Sequence, residues 1–252
     1  MRKNDRISAC GRTINYEIIY SKKRKKAAIL VRPDMKVEFR APQGLSADTI
    51  RGMVEGKARW IFKKLEWFEA NKLPDQKKQY CEGEFYLYLG REYPLRITLT
   101  NNVKRPLNNV KRPLAFFKDS EFIVEIPENT SEDQISFLVK EAVWNFYSKR
   151  AEEEVEKLLK IYSKKLEVTT PVFKVKHQNK RWGSCSAKNI LRINFQLIMA
   201  PPRQLEYVVV HELCHVKEKN HSARFWKLVR ELMPDYEEHR NNLKKDGWKY
   251  VL

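Results

Sequence analysis

Residues 208–215 read Val-Val-Val-His-Glu-Leu-Cys-His, and His221 follows six residues after the last of them. In a helix, His211 and His215 lie one turn apart on the same face, the spacing at which two imidazoles grip one metal ion. Glu212 is placed to take a proton from a metal-bound water acting as nucleophile, so the stretch predicts a zinc hydrolase centre with Glu212 as general base. A catalytic zinc takes three protein ligands and leaves one position for water, which makes His221 the candidate third ligand. Its offset from His215 equals that in H-E-x-x-H-x-x-G-x-x-H, with Glu218 where that motif has glycine. Asn220 in a left-handed conformation would end the helix and turn His221 back to the metal. The alternative is that His221 only packs or caps, and that Glu237, Glu238 or His239 completes the set. Zinc is the first expectation for the metal, although imidazoles also hold other divalent transition metals.

Outward from this helix, Pro201 and Pro202 suit its first turn. Ahead of them, Ile193, Phe195 and Leu197 alternate with Arg192, Asn194 and Gln196, which predicts a strand over 189–199. Its 191–197 portion is the expected edge that pairs with an extended substrate. Residues 178–186 form a turn-rich connection after a short strand at 172–176. A long helix is predicted over 132–165, opened by Ser131 and Gln134 at capping-box spacing. Its apolar stripe includes Val139, Val143, Val155 and Leu159 and lapses at Glu152-Glu153-Glu154, where a break or bend near 151–154 is expected. Past the histidines, Ser222 caps a further helix containing Phe225, Trp226, Val229 and Leu232.

The first half of the chain is mostly extended, with strands expected within 13–42, 85–99 and 122–126. Between them, Ile50, Val54, Ile61, Phe62 and Leu65 predict one helix over 46–71, capped by Ser46. The heptapeptide Asn101-Asn102-Val103-Lys104-Arg105-Pro106-Leu107 recurs unchanged over 108–114. Such a copy is too short for a solenoid unit and better suited to lengthening a hairpin loop. The fold class expected is therefore α+β, with a β-rich section over 1–127 followed by a metal-binding section over 128–252.

Lys and Arg number 50 against 32 Asp and Glu, a formal net charge of +18. That excess attracts anions, whether nucleic acid, nucleotides or acidic peptides, or else forms a solvated surface. The densest block, Lys22-Lys23-Arg24-Lys25-Lys26, falls at an expected hairpin tip. Cys10, Cys81, Cys185 and Cys214 form no C-x-x-C pair, so no disulfide framework or zinc knuckle is predicted. No signal-peptide or membrane-span pattern is evident, and a soluble cytoplasmic protein is expected.

Several stretches together resemble the YgjP-like metallopeptidase family. They are Arg181-Trp182-Gly183-Ser184-Cys185-Ser186, Ile193-Asn194-Phe195-Gln196-Leu197, Ala200-Pro201-Pro202, His211-Glu212-Leu213-Cys214-His215, Asn220-His221-Ser222 and Phe225-Trp226. Val37-Glu38-Phe39-Arg40-Ala41-Pro42 and Trp60-Ile61 extend the likeness toward the N-terminus. The resemblance implies a zincin-like domain in which a small sheet lies beside the H-E-x-x-H helix and the long helix packs behind it. It also implies His221 as third ligand and a metal-dependent hydrolase. Relatives among SprT-like proteins act on proteins attached to DNA, which directs attention to the basic surface.

The first functional expectation is thus a zinc metallopeptidase acting on an extended peptide or protein. A second is a metal-dependent nucleotide pyrophosphatase or phosphohydrolase, since water activation does not dictate the bond attacked. A third is a basic nucleic-acid-associated protein with a structural metal. For the oxyanion donor, His177, Arg181 and Tyr207 are candidates by residue type.

Overall fold

The computed structural model describes residues 2–32, 34–70, 78–101 and 113–252. The chain divides into two compact units, Met1–Gln76 and Lys77–Leu252. The boundary expected at 127/128 falls inside the second unit. Phe122, Val124 and Ile126 share one apolar core with Val139, Val143 and Tyr147, so the strand and the helix after it bury each other. The secondary structure is mixed, as an α+β chain requires.

In the first unit, β1 (Arg2–Ala9), β2 (Arg12–Ser21), β3 (Ala28–Val31) and β4 (Val37–Pro42) form a sheet in the order β1-β2-β4-β3. The β2 and β4 strands run parallel, and the other pairs are antiparallel. Strand β1 escapes the sequence reading because only Ile7 of its eight side chains is buried. Its hairpin is encoded at Cys10-Gly11, whose φ values of 53° and 72° are those a two-residue turn needs to match the strand twist. Two helices, α1 (Ala47–Glu55) and α2 (Ala58–Ala70), stand in place of the single one expected over 46–71. Gly52 and Gly56 weaken the helix there, and the chain tightens so that Lys57 N–H donates to Val54 O at 3.1 Å. Ser46 does cap α1, accepting from Thr49 N–H at 3.2 Å. Ile18, Phe39, Ile50 and Ile61 form the centre of this unit's own core.

The second unit begins with β5 (Phe85–Tyr88), β6 (Arg91–Thr100), β7 (Leu114–Lys118) and β8 (Glu121–Pro127), in the order β5-β6-β8-β7. The tandem copy lies outside the described residues except for Asn101, Pro113 and Leu114. Helix α3 (Glu132–Leu166) then runs for 35 residues without a break. Ala151 and Val155 are fully buried and carry the apolar stripe through the glutamate run. On the outer side, Arg150 pairs with Glu153 at 2.5 Å and Lys157 with Glu154 at 2.8 Å, so the acidic run is balanced within the helix. The Ser131 side chain makes no capping bond; its carbonyl instead accepts from Gln134 N–H at 2.9 Å.

Strands β9 (Phe173–Lys176), β10 (Gly183–Cys185) and β11 (Leu191–Asn194) form a small sheet in the order β10-β11-β9. Strand β11 is therefore the centre of the sheet, and the role of substrate edge expected for 191–197 cannot be filled there. Nor does the strand continue to Met199. Asn194 accepts from Gln196 N–H at 3.2 Å and turns Phe195–Met199 into a 3-10 helix. The buried carbonyls of Ile198 and Met199 accept from Leu89 N–H and Gly90 N–H at 2.8 and 3.0 Å, which fixes this turn to the β5-β6 hairpin. Helices α4 (Pro202–Cys214), α5 (Ala223–Leu232) and α6 (Tyr236–Asp246) complete the unit. Among the described residues, no helix is long and apolar enough to cross a membrane.

The second unit's core centres on Phe122, which is fully buried with ring contacts to Tyr86, Phe117, Phe146 and Tyr147. Phe122→Ala should cost about 3–5 kcal/mol of stability, read as a lowered midpoint in urea unfolding.

Candidate metal centre

Helix α4 starts on Pro202, whose missing N–H costs nothing in a first turn, and Gln204 N–H donates to Pro201 O at 2.8 Å. Leu205, Val209, Val210, Leu213 and Cys214 are buried almost completely, so the helix has little rotational freedom. That packing fixes which way His211, Glu212 and His215 point. Cys214 is one of the packed residues, and burial pushes its thiol up to about 12.

The imidazoles of His211, His215 and His221 converge, with potential ligand atoms all within 4.8 Å of one another. His211 Nε2 and His221 Nε2 face each other at 2.9 Å. His215 Nδ1 lies 2.9 Å from the Glu218 carbonyl, a partner that favours the N–H on Nδ1 and leaves Nε2 as a lone-pair donor. Burial and the neighbouring histidines hold His211 down to about 3, and the same influences lower His221. Both are therefore neutral near pH 7, the state in which imidazole binds a metal. Three imidazoles around one point fit a divalent transition metal, zinc among them.

The return of the chain to His221 uses no left-handed residue, contrary to the expectation for Asn220. Instead Val216 N–H donates to Leu213 O, and Lys217 and Glu218 N–H groups both donate to Cys214 O, a tight unwinding after α4. The Lys219 ammonium anchors the loop to Ser186 O at 3.4 Å and to the Asn189 side chain. Ser222 then starts α5, accepting from Phe225 N–H at 3.4 Å. Phe225 stacks on His215 with ring centroids 4.4 Å apart, and Trp226 stacks on His221 at 5.7 Å. The structure thus brings His221 to the pair. Of the alternatives, His239 bonds Asp235 at 3.0 Å and Glu237 bonds Tyr236 at 3.0 Å, and neither these nor Glu238 belongs to the cluster.

Glu212 is only 7% exposed and lies against β10. A Cβ on Gly183 would come within 2.6 Å of Glu212 Cγ and 2.7 Å of its Oε1, so this strand position has to be glycine for the carboxylate to sit where it does. Burial raises Glu212 to about 7, opposed by the Arg181 charge and by the Cys185 backbone N–H that it accepts from. Tyr207, His211, Glu212, Gly183 and Arg240 share a cleft of about 240 Å³. Of the three oxyanion candidates, Tyr207 is the one in this cleft, with Oη 3.4 Å from His211 Nδ1. His177 packs against Trp144 and Phe195, and Arg181 and His177 line a separate cleft.

Two contributors were not singled out from sequence. The tight requirement at Gly183 was hidden inside a Trp-Gly-Ser segment that reads as an ordinary turn. Arg240, whose guanidinium sits 4.6 Å over the Trp226 ring and faces the cleft, is one basic residue among 50 and carries no pattern of its own.

A buried carboxyl group beside converging imidazoles defines a class, the metal-dependent hydrolases. The chain belongs to the YgjP-like metallopeptidase domain family, whose model matches residues 25–246. Among solved structures it is similar to the metallopeptidase zymogen abylysin of Pyrococcus abyssi, with 23% identity, 35% of this chain and 90% of that one covered, and a TM-score of 0.34. A second similar structure is the metallopeptidase zymogen jannalysin of Methanocaldococcus jannaschii, with 20% identity, 36% and 94% covered, and a TM-score of 0.33. No curated protein matches the chain.

Gly183→Ala should leave the fold intact but push the Glu212 carboxylate aside. Isothermal titration should show zinc binding retained while hydrolytic turnover drops by roughly 10- to 100-fold, the scale expected for a misplaced catalytic group. In the same titration His221→Ala should lose most of its zinc affinity and His239→Ala should lose none; the reverse pattern would exclude His221 as a ligand.

Proposed function

We propose that the chain is a zinc-dependent metallopeptidase, with His211, His215 and His221 as metal ligands and Glu212 as general base. The observation that carries this reading is the convergence of three imidazoles on one point beside the buried Glu212 carboxyl group. When bound, the metal supplies Lewis-acid polarisation of the scissile carbonyl and acidifies a water. Glu212 accepts that water's proton on a carboxylate oxygen and then donates it to the departing amine. Its raised pKa, about 7, suits a group that must both take and give a proton near neutrality. Tyr207, pushed up to about 12 by burial, keeps its hydroxyl proton and serves as the hydrogen-bond donor to the carbonyl oxygen during attack.

The substrate strand moves from β11 to β10 in this proposal. Strand β10 pairs with β11 on one side only, and its Gly183 lines the cleft with His211 and Glu212. An extended peptide pairing with the outer side of β10 would pass its backbone over the imidazole cluster. Residues Trp182 and Gly183 would then contact the peptide on that side.

Glu212→Gln tests the chemistry. Zinc content should stay stoichiometric while cleavage of casein and of unstructured peptides falls by a factor of about 100 or more, the scale of a lost general base. Nucleoside triphosphates serve as the control substrate class. Full turnover by the Gln variant would remove the general-base role, and triphosphate hydrolysis without peptide cleavage would remove the peptidase reading.

A further inference from the structure

The Met1–Gln76 unit carries 18 Lys and Arg against nine Asp and Glu. Several of these cations are neutralised locally: Arg2 pairs with Glu17, Arg12 with Glu66, Arg32 and Arg40 with Glu38, and Arg51 with Asp5. Lys22, Lys23, Lys25, Lys26 and Lys57 are different. They are exposed, and none has an ion pair among the described residues.

These free cations border an unprotected strand. β3 closes one side of its sheet and pairs with β4 alone, so its outer backbone groups meet no partner strand among the described residues. Its sequence, Ala28-Ile29-Leu30-Val31, contains none of the charges, prolines or bulges that usually blunt such an edge. Between β3 and the α1-α2 junction runs a groove of about 520 Å³, lined by Ala28, Ile29, Phe39, Met53, Lys57 and Trp60. Met53 and Trp60 remain 44% and 43% exposed there, although their neighbours Val54 and Ile61 are completely buried. The lysine block leads directly into Ala27 at one end of this groove, and Lys57 stands on its helical wall.

We infer that β3 and this groove dock an extended acidic segment of a protein substrate, which adds to the sheet as a fifth strand. The inference rests on the peptidase reading for the word substrate. Strand addition draws affinity from main-chain hydrogen bonds and specificity from alternate side chains. Every second residue of the incoming strand would drop an apolar side chain between Met53 and Trp60. Glu or Asp at the remaining and flanking positions would meet Lys22 to Lys26 and Lys57. A solvated basic surface explains the lysines but not the exposed Trp60 and Met53 beside a bare strand edge, and an ordinary apolar patch would not be ringed by unpaired cations.

The test uses the full chain carrying Glu212→Gln, so that binding is read without cleavage. Two fluorescein-labelled peptides of equal length, one alternating apolar residues with Glu and the other with Lys, are titrated by anisotropy. The acidic peptide should bind, more weakly as salt rises, and should slow amide hydrogen exchange at residues 28–31. Adding Trp60→Ala, or Lys25→Glu with Lys26→Glu, should weaken that binding by roughly ten-fold, as loss of an interface anchor does. Far-UV circular dichroism should not change. In the background with Glu212 intact, cleavage of a short uncharged peptide should be unaffected by these substitutions. Equal binding of both peptides, or undiminished binding after Trp60→Ala, overturns the proposal. So does a preference for a single-stranded oligonucleotide, or a dimer of this chain that Trp60→Ala dissolves. Peptide binding at β3 without any peptide hydrolysis removes the peptidase reading and keeps the dock, whereas hydrolysis without this binding does the reverse.

Discussion

Helix α4 has to be buried on its apolar sides and still hold three polar side chains, His211, Glu212 and His215, at one site, and the second unit is arranged around that constraint. Leu205, Val209, Leu213 and Cys214 are sealed from solvent, which leaves His211, Glu212 and His215 only one direction in which to point. A buried polar group without a partner costs about 1–3 kcal/mol, so each of the three needs one. Glu212 has the Cys185 N–H, His215 has the Glu218 carbonyl, and His211 has Tyr207 Oη on its far side. The faces of the imidazoles that remain are turned toward one another. A metal ion is the partner that such an arrangement of lone pairs best accommodates.

Around this helix, the smaller elements act as positioners. The β10-β11-β9 sheet delivers Gly183 to a place where a side chain would displace Glu212, and so brings a backbone edge against the Glu212 carboxyl group. The α5 aromatics flank the two imidazoles that the chain must bring together from different segments, Phe225 on His215 and Trp226 on His221. Helix α3 lies behind α4 and ties it to the first sheet of the unit through Tyr147, whose hydroxyl donates to Leu87 O at 2.6 Å. Rigidity of the site therefore derives from elements that contribute no ligand.

Much of this was legible in the chain itself, because spacing along a helix or strand is local. The four-residue step from His211 to His215, the Pro-Pro start of α4, the Ser222 cap and the apolar stripe of α3 all depend on residues within a few turns of each other. The failures have separate causes. The stretch 195–199 alternates as a strand would, yet Asn194 closes a side-chain turn and the β5-β6 hairpin takes up its carbonyls, a partner about 100 residues away in sequence. Strand β1 shows little apolar pattern because it borders its sheet, and the break between α1 and α2 follows from two glycines that a periodicity count passes over.

The sequence by itself determined the candidate ligand types, their helical spacing and the α+β character of the chain, since those follow from side-chain chemistry and from fixed helical and strand periods. Only the tertiary structure decided that His221, rather than Glu237, Glu238 or His239, joins the pair, because that choice depends on a loop tied down by Lys219 to residues some 30 positions earlier. It also decided that β10 lies at an edge of its sheet and β11 at the centre, since strand order is set by pairing between distant segments. The role of Gly183 belongs to the same group: a missing side chain signals nothing along the chain until a carboxylate from another element occupies its place.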